Sequence, residues 1–175
     1  KATTKPQSVK GAFLRMLTIV ARLGEEILLC EVKSGEKFQA IGLEVECFDI
    51  ASTKEKQFGF RTCLPDGQLL VCLGDEPYNA CNQMYVEGAD WLLCEAFCLY
   101  EDRERFKPYE KHHSTALDAG RLAAQLGVKN LLLYHTEDKT LATRKERYAA
   151  EAASQFSGKV YVPDDLEEIL LRGNE

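Results

Sequence analysis

The sequence predicts an α/β protein, more narrowly an α+β mixed sheet with helices on one face. Two features predict it. Short β-type runs separated by turn signals fill the first half of the chain, and buried strands alternate with helices in the second half. A meander that leads into strand–helix–strand alternation gives a sheet with antiparallel and parallel neighbours. The 175 residues are 45% hydrophobic and 29% charged, which fits one globular domain over residues 1–175.

The first half is expected to contain a polar arm, one helix and four strands. Residues 1–7 are the flexible arm. A helix capped by Ser8 carries apolar residues at helical spacing up to Leu23, and Gly24 ends it. The β-type runs that follow are residues 26–32, 43–50, 58–64 and 68–73. The sequence Pro65-Asp66-Gly67 between the last two runs predicts a hairpin.

The second half is expected to alternate strands with helices. Ser114 or Thr115 can cap a helix that extends to Leu126 and ends at Gly127. A second, longer helix is predicted over residues 140–156. The predicted strands are residues 91–94, 128–134, 159–162 and 166–171.

Charge and motif content exclude several classes of function. The net charge of −6, from 22 basic and 28 acidic residues, disfavours nucleic-acid binding through bulk charge. The basic segments 54–56 and 144–147 are interrupted by acids and are expected to be solvated faces. We expect no membrane span, since no apolar run approaches roughly 20 residues, and no signal peptide, since residues 1–8 are polar and no cleavable apolar stretch follows them. The sequence lacks G-x-S-x-G and the glycine-rich phosphate loops, which argues against serine hydrolases and nucleotide-loop enzymes.

Cysteine usage predicts the compartment. The chain has seven cysteines, an odd number, and no C-x-x-C pair. Several have apolar neighbours, as in Leu28-Leu29-Cys30 and Val71-Cys72-Leu73. This pattern favours buried, reduced thiols over a disulfide framework, and therefore a cytoplasmic protein.

Polar residues at predicted strand ends are candidate site residues, because α/β sheets bind ligands beyond the carboxyl ends of their strands. Asp75 follows one strand, Glu95 ends a second and His135 follows a third, while His113 stands at the start of a helix. Carboxylate and imidazole groups on rigid elements suit a metal ion. Simpler structural roles stay open for each: Asp75 as a turn cap, Glu95 as an ion-pair partner, and both histidines as structural residues.

Four motifs, taken in order, resemble a known family. They are Leu73-Gly74-Asp75, the run from Gly88 through Trp91-Leu92-Leu93-Cys94-Glu95-Ala96, His113-Ser114-Thr115, and Leu133-Tyr134-His135-Thr136. Their order and spacing are similar to the C-terminal portion of metallo-β-lactamase-fold hydrolases of the ribonuclease Z-like group. The resemblance runs from about residue 8 to residue 171. It implies a partial metallo-β-lactamase-like fold and metal-dependent hydrolysis of a phosphodiester or related small ester.

The resemblance also implies roles for individual residues. Asp75 matches an aspartate that bridges two metal ions, usually zinc, and His135 matches a histidine that ligates the second ion. Glu95 and His113 match a catalytic pair that helps to transfer a proton to the leaving group. In such sites the metal ions generate hydroxide and polarise a phosphoryl or acyl group.

Three departures from the family pattern bear on metal binding. First, the motif H-x-H-x-D-H, which is expected upstream of the first helix, does not occur in the sequence. Second, Ala51 stands where the family has a histidine. Third, Cys94 stands directly before Glu95, where relatives often have a histidine. Asp75 and His135 are two ligands, whereas a zinc site takes three or four. Cys94 should face away from Glu95, because neighbours in a strand alternate between faces. The chain alone is therefore expected to bind zinc weakly or not at all.

Two hypotheses follow. In the first, the chain is part of a metal-dependent hydrolase that is completed by an upstream segment or another polypeptide. In the second, the fold persists as a non-catalytic binding or oligomerising module whose metal site has decayed. In this second case, apolar surface exposed where the missing layer packed would favour self-association.

Overall fold

A computed structural model describes residues 21–23, 26–28 and 31–171, and within these residues seven strands form one mixed sheet. These strands are β3 Lys37–Ala40, β4 Leu43–Asp49, β5 Phe58–Cys63, β6 Leu69–Cys72, β7 Trp91–Glu95, β8 Asn130–Tyr134 and β9 Lys159–Tyr161. They follow chain order across the sheet. β3 to β6 pair antiparallel, and β6 to β9 pair parallel. Two further strands, β1 Ala21–Leu23 and β2 Glu26–Leu28, pair with each other. The predicted mixed sheet is confirmed.

Helices cover one face of this sheet. The helices are α1 Gln83–Val86, α2 Arg103–Phe106, α3 Ala116–Leu126 and α4 Leu141–Ala153, with 3-10 turns at Ala80–Asn82, Tyr100–Asp102 and Tyr109–Lys111. One buried cluster contains Leu92 of β7, Leu131 of β8, Ala123 of α3 and Tyr148 of α4. The hydrophobic core therefore lies between the sheet and the α3–α4 pair, which confirms the prediction of helices on one face of the sheet.

The close approach of α3 to α4 requires a glycine. A Cβ added to Gly120 would lie 2.9 Å from the Cα of Ala152, which is closer than real Cβ contacts come. Thr115 caps the start of α3 with a reciprocal capping box to Asp118, and Gly127 ends the helix in the left-handed conformation. Both ends of this helix agree with the sequence prediction.

Two hairpins build the antiparallel part of the sheet. The β5–β6 hairpin was predicted, and Gly67 takes a φ of +86° in its turn. The β3–β4 hairpin was not. Its two turn residues, Ile41 and Gly42, both have positive φ, as a type I′ turn requires. Isoleucine is a rare residue there, so the usual Asn-Gly or Asp-Gly signal did not mark the turn.

Two sequence predictions at the ends of the described chain are wrong. Ala21–Leu23, predicted as the end of a helix, is a strand paired antiparallel with Glu26–Leu28. A short helix end has little stability of its own, so local strand pairing prevails. The remainder of that helix and the polar arm lie outside the described residues. Of the run 26–32, Glu26–Leu28 forms a strand and residues 31–32 have no regular secondary structure.

The strand predicted over residues 166–171 is a turn followed by irregular chain. The backbone N–H of Asp164 donates to Glu167 Oε2 at 2.9 Å, and the N–H of Glu167 donates to the carbonyl of Asp164 at 3.0 Å. Leu166 is exposed with a φ of +66°, which no strand residue adopts. The turn that Asp164 and Glu167 form therefore takes the place of the predicted strand. The other predicted strands and helices are present, most of them with shorter bounds, whereas β7 extends one residue further than predicted, to Glu95.

The cysteine prediction is confirmed in part. Cys47, Cys72, Cys94 and Cys98 are buried free thiols. Cys63 and Cys81 are free but exposed, and Cys30 lies outside the described residues. None of the described helices is long and apolar enough to span a membrane.

Candidate active site at the carboxyl edge of the parallel strands

The predicted site residues lie at one edge of the sheet. β6, β7 and β8 run parallel, with Leu93 opposite Cys72 and Glu95 opposite Tyr134. Asp75 follows β6, Glu95 ends β7 and His135 follows β8, so the chain leaves all three strands at the same edge. The Tyr134 hydroxyl donates a hydrogen bond to the carbonyl of Gly74. This bond ties the segment that carries Asp75 to the segment that carries His135.

Asp75 has an unsatisfied acceptor at this edge. Its Oδ1 is buried and has no hydrogen-bond partner. A buried carboxylate oxygen without a donor is unfavourable unless something outside the chain satisfies it. The turn-cap interpretation of Asp75 gains no support, because its Oδ1 caps no described N–H group. The residue before it, Gly74, has a φ of +87°, which sets the direction in which the chain leaves β6.

His135 occupies an unusual backbone conformation on the exposed rim of the site. Its φ is +55°, in the left-handed region that non-glycine residues rarely adopt. Partial burial of the ring lowers the pKa of His135, and the charge of His113 lowers it further, although Asp75 and Glu95 act in the opposite direction. A lowered pKa keeps the imidazole neutral near neutral pH. Neutral imidazole is the form that ligates metals.

Glu95 and His113 form a buried pair. The Glu95 side chain is fully buried, and its Oε1 accepts the backbone N–H of Ser114. Its Oε2 lies 3.4 Å from His113 Nδ1, which is within ion-pair distance, but neither atom has a hydrogen-bond partner. Catalytic contacts in ligand-free enzymes are often this long. The structure therefore brings together the two residues that the resemblance pairs.

Phe97 organises the site, and sequence reasoning missed it. Its ring stacks on His113 with centroids 5.0 Å apart, and it lies 6.5 Å from the His135 ring. Its backbone N–H donates to the carbonyl of Ser114, and its carbonyl accepts the N–H of Glu137. The two histidine rings are 5.0 Å apart. An aromatic residue two positions after Glu95 was the available signal, but its role depends on contacts between distant segments.

The loop that carries Ala51 is held against this edge. Glu76 is buried, and it accepts hydrogen bonds from Ser52 Oγ at 2.8 Å and from the N–H of Thr53 at 3.2 Å. Ala51 itself has a φ of +56°. The position where the family pattern has a histidine is therefore fixed next to the segment that carries Asp75. Glu76 was not singled out from the sequence, because a glutamate beside an aspartate is normally solvated.

Cys94 is not part of the site. It is buried in the hydrophobic core, on the opposite side of β7 from Glu95, as strand alternation predicts. Burial raises the pKa of the Cys94 thiol well above its usual value, so the thiolate that binds zinc is disfavoured. Within residues 31–171, no cluster of three or more His, Cys, Asp or Glu side chains could hold a metal ion by itself.

The comparison with known proteins agrees with this geometry. No family model matches the chain. Over 138 residues it is 37% identical to ribonuclease Z of Thermobifida fusca, which covers 77% of this chain and 42% of that protein. Over 103 residues it is 31% identical to ribonuclease Z of Streptococcus sanguinis, covering 59% of this chain and 32% of that protein. The chain is ribonuclease Z-like.

Solved structures establish the fold of this ribonuclease Z-like chain. The metallo-β-lactamase-fold protein YhfI of Bacillus subtilis aligns over 75% of this chain and 51% of that chain, with a TM-score of 0.61 and 22% identity. The short form of human tRNase Z aligns over 77% of this chain and 46% of that chain, with a TM-score of 0.56 and 21% identity. The fold is therefore that of the metallo-β-lactamase proteins. The chain spans less than half of the length of the curated relatives named above.

Proposed function

We propose that this chain supplies part of the active site of a metal-dependent phosphodiester hydrolase. Asp75 and His135 act as metal ligands, and Glu95 and His113 form the proton-transfer pair. The observation that carries the proposal is the unpartnered, buried Oδ1 of Asp75, at the same sheet edge as the buried Glu95–His113 pair. We take the metal to be zinc, because a carboxylate and an imidazole are both among the ligands that zinc binds.

The residues present fit zinc as part of a ligand set. Asp75 offers an oxygen that no described donor satisfies, and His135 offers an imidazole whose lowered pKa favours the neutral form. Zinc takes three or four protein ligands, so further ligands would come from residues outside those described or from another chain. When bound, the ion would supply an activated water and a Lewis acid for the phosphoryl group.

The remaining chemistry belongs to residues of this chain. Ser114 holds one oxygen of Glu95 through its backbone N–H, which leaves the other oxygen facing His113 Nδ1. The carboxylate orients the imidazole, so that the opposite ring nitrogen can give a proton to the leaving oxygen. Phe97 stacks on the ring and restricts its rotation. Because Glu95 is fully buried, water does not compete for this contact.

The proposal is tested by zinc affinity measured by calorimetry at high zinc concentration, because two ligands from this chain alone are expected to bind the ion weakly. Asp75→Ala is expected to weaken zinc binding by about tenfold or more, because it removes a direct ligand. The matched control is Asp138→Ala, since Asp138 lies on the same edge but is exposed and pairs with Lys139 at 3.4 Å. Equal zinc affinity in the two variants would contradict the proposal and favour a non-catalytic binding or oligomerising module.

A further inference from the structure

One face of α4 carries three side chains with polar ends where apolar side chains would pack at less cost. Arg144, Tyr148 and Glu151 stand at positions i, i+4 and i+7 of this helix, which places them on the same face. Arg144 is 8% exposed, Tyr148 is fully buried and Glu151 is half-buried. Burying a polar group is unfavourable unless it is hydrogen-bonded. The partners of these three side chains therefore show what this face of the helix does.

Arg144 holds the segment that carries His135. This segment, residues 135–140 between β8 and α4, is named here the β8–α4 loop. The Nη1 of Arg144 donates to Thr136 Oγ1 at 3.0 Å, and its Nη2 donates to Asp164 Oδ1 at 2.8 Å. Thr136 directly follows His135. The guanidinium group therefore attaches the segment of a proposed metal ligand to the first turns of α4.

Glu151 holds the segment that carries His113. This segment, residues 96–115 between β7 and α3, is named here the β7–α3 loop. Both carboxylate oxygens of Glu151 accept the backbone N–H of Tyr100 at 3.0 Å, and Oε2 also accepts the N–H of Leu117 at 2.9 Å. Tyr100 lies near the start of the loop, and Leu117 lies in the first turn of α3, four positions after His113. One carboxylate thus fastens both ends of the loop to α4.

Tyr148 acts at the point where the two loops meet. The N–H of Glu137, in the β8–α4 loop, donates to the carbonyl of Phe97 at 2.8 Å. The Tyr148 hydroxyl donates to the same carbonyl at 3.2 Å. A short parallel bridge between Cys98 and Thr115 joins the start of the β7–α3 loop to its end. The loop is therefore closed at its base and is attached to α4 at three backbone positions.

We propose that Arg144, Tyr148 and Glu151 are positioning residues that set the separation of His113 and His135, whose rings are 5.0 Å apart. The inference deepens the proposed function and rests on it for its meaning in catalysis, because one histidine belongs to the proton-transfer pair and the other to the metal ligands. Misplacing reacting groups by about 1 Å can lower a catalysed rate by about 100-fold. The face of α4 that holds both loops thus determines how far the proton donor stands from the metal.

The test compares two nuclear Overhauser contacts in the metal-free, 175-residue chain at one fixed pH. The contact between the ring protons of His113 and His135 reports the separation of the two loops. The contact between Phe97 and His113, whose ring centroids are also 5.0 Å apart, lies within the β7–α3 loop and is the internal reference. A loss of stability alone leaves the ratio of the two contacts unchanged, because both arise from folded molecules.

Thr136→Val removes the acceptor of Arg144 and leaves the arginine in place. Thr136→Val and Glu151→Ala are each expected to lower the ratio to about half or less, as an added separation of about 1 Å between the histidine rings would produce. Glu151→Gln is expected to restore the ratio, because its amide oxygen still accepts the two N–H groups. Tyr148→Phe removes only a hydroxyl group and is also expected to lower the ratio, so it provides the same test if Glu151→Ala does not fold.

Two control variants separate positioning from stability. Glu146→Ala changes the exposed side of α4, and Val71→Ala destabilises the core away from both loops. Both are expected to keep the ratio of the unmodified chain. An unchanged ratio in either Thr136→Val or Glu151→Ala, or an equal reduction in Val71→Ala, would overturn the positioning role. The measurement requires neither zinc nor turnover, so a failure of the metal proposal is distinguishable from a failure of this one.

Discussion

The hydroxyl of Tyr134 donates to the carbonyl oxygen of Gly74, and this contact joins the two segments that carry the proposed metal ligands. Asp75 follows Gly74 directly, and His135 follows Tyr134 directly. The same hydroxyl lies 3.5 Å from the thiol of Cys72. The side chain of Tyr134, the last residue of β8, therefore fixes the direction in which the chain leaves β6, which lies two strands away in the sheet.

Tyr134→Phe is expected to reduce the free energy of zinc binding more than it reduces the free energy of unfolding. The change removes one hydrogen bond, worth about 1 kcal/mol of unfolding free energy, but frees Asp75 to move relative to His135. Zinc affinity is expected to fall by about tenfold. Tyr161→Phe is the control, because Tyr161 packs against Trp91 away from this edge. An unchanged zinc affinity in Tyr134→Phe would show that the bond does not position the ligands.

Ala51→His is expected to raise zinc affinity by about tenfold or more, because it adds an imidazole where the family pattern has one. Histidine tolerates the left-handed backbone conformation at this position better than most residues. Calorimetry checks the result, with Glu55→His as the control on the exposed part of the same loop. Equal gains in both variants would mean that added histidines bind zinc non-specifically.

Gly120→Ala is expected to lower the free energy of unfolding by about 2 kcal/mol, although alanine is the better helix former. The added Cβ would meet the backbone of Ala152 and force α3 away from α4. Chemical denaturation measures the change. Gln125→Ala, on the exposed side of the same helix, should alter stability by no more than about 0.5 kcal/mol. A neutral or stabilising Gly120→Ala would contradict the observed helix packing.

Asp90 should make the stability of the fold depend on pH. A hydrogen bond from Lys129 is the largest cause that lowers the pKa of Asp90, and the N–H of Leu69 adds to it. A carboxylate whose folded-state pKa is lowered stabilises the fold above its unfolded pKa of about 3.9, and this contribution disappears as pH falls through the folded pKa. Asp90→Asn is therefore expected to cost about 1 kcal/mol at pH 7 and progressively less below about pH 4.

The measurement for Asp90 is denaturation of both proteins at several pH values between about 2 and 7. Lys129→Met serves as a second variant, because it removes the positive partner and leaves the carboxylate. It should reproduce part of the same pH dependence. A difference between Asp90→Asn and the unmodified chain that stays constant over this range would contradict the assignment.

The sequence predicts helix ends and strand ends well where one residue carries the signal. Thr115 and Gly127 mark α3 because a capping side chain and a left-handed glycine act within one turn. The β3–β4 hairpin was missed because Ile41 adopts a conformation that isoleucine seldom takes, and the pairing of the two strands imposes it.

The sequence likewise reveals some residues of the candidate site and not others. Asp75, Glu95, His113 and His135 could be identified because each lies at the end of a strand or just before a helix within a motif. The roles of Phe97 and Glu76 could not, because they depend on contacts across 17 to 40 positions of the chain with Ser114, Glu137 and the loop at Ser52. Whether the four predicted residues act as the resemblance implies stays a prediction.

The central claim is that Asp75 and His135 ligate the same metal site. The most direct measurement is an anomalous difference map at the zinc absorption edge from crystals of the chain soaked in zinc. The account predicts a peak about 2.0–2.2 Å from an Asp75 oxygen and a His135 nitrogen. Zinc bound elsewhere, with neither residue in contact, would contradict it.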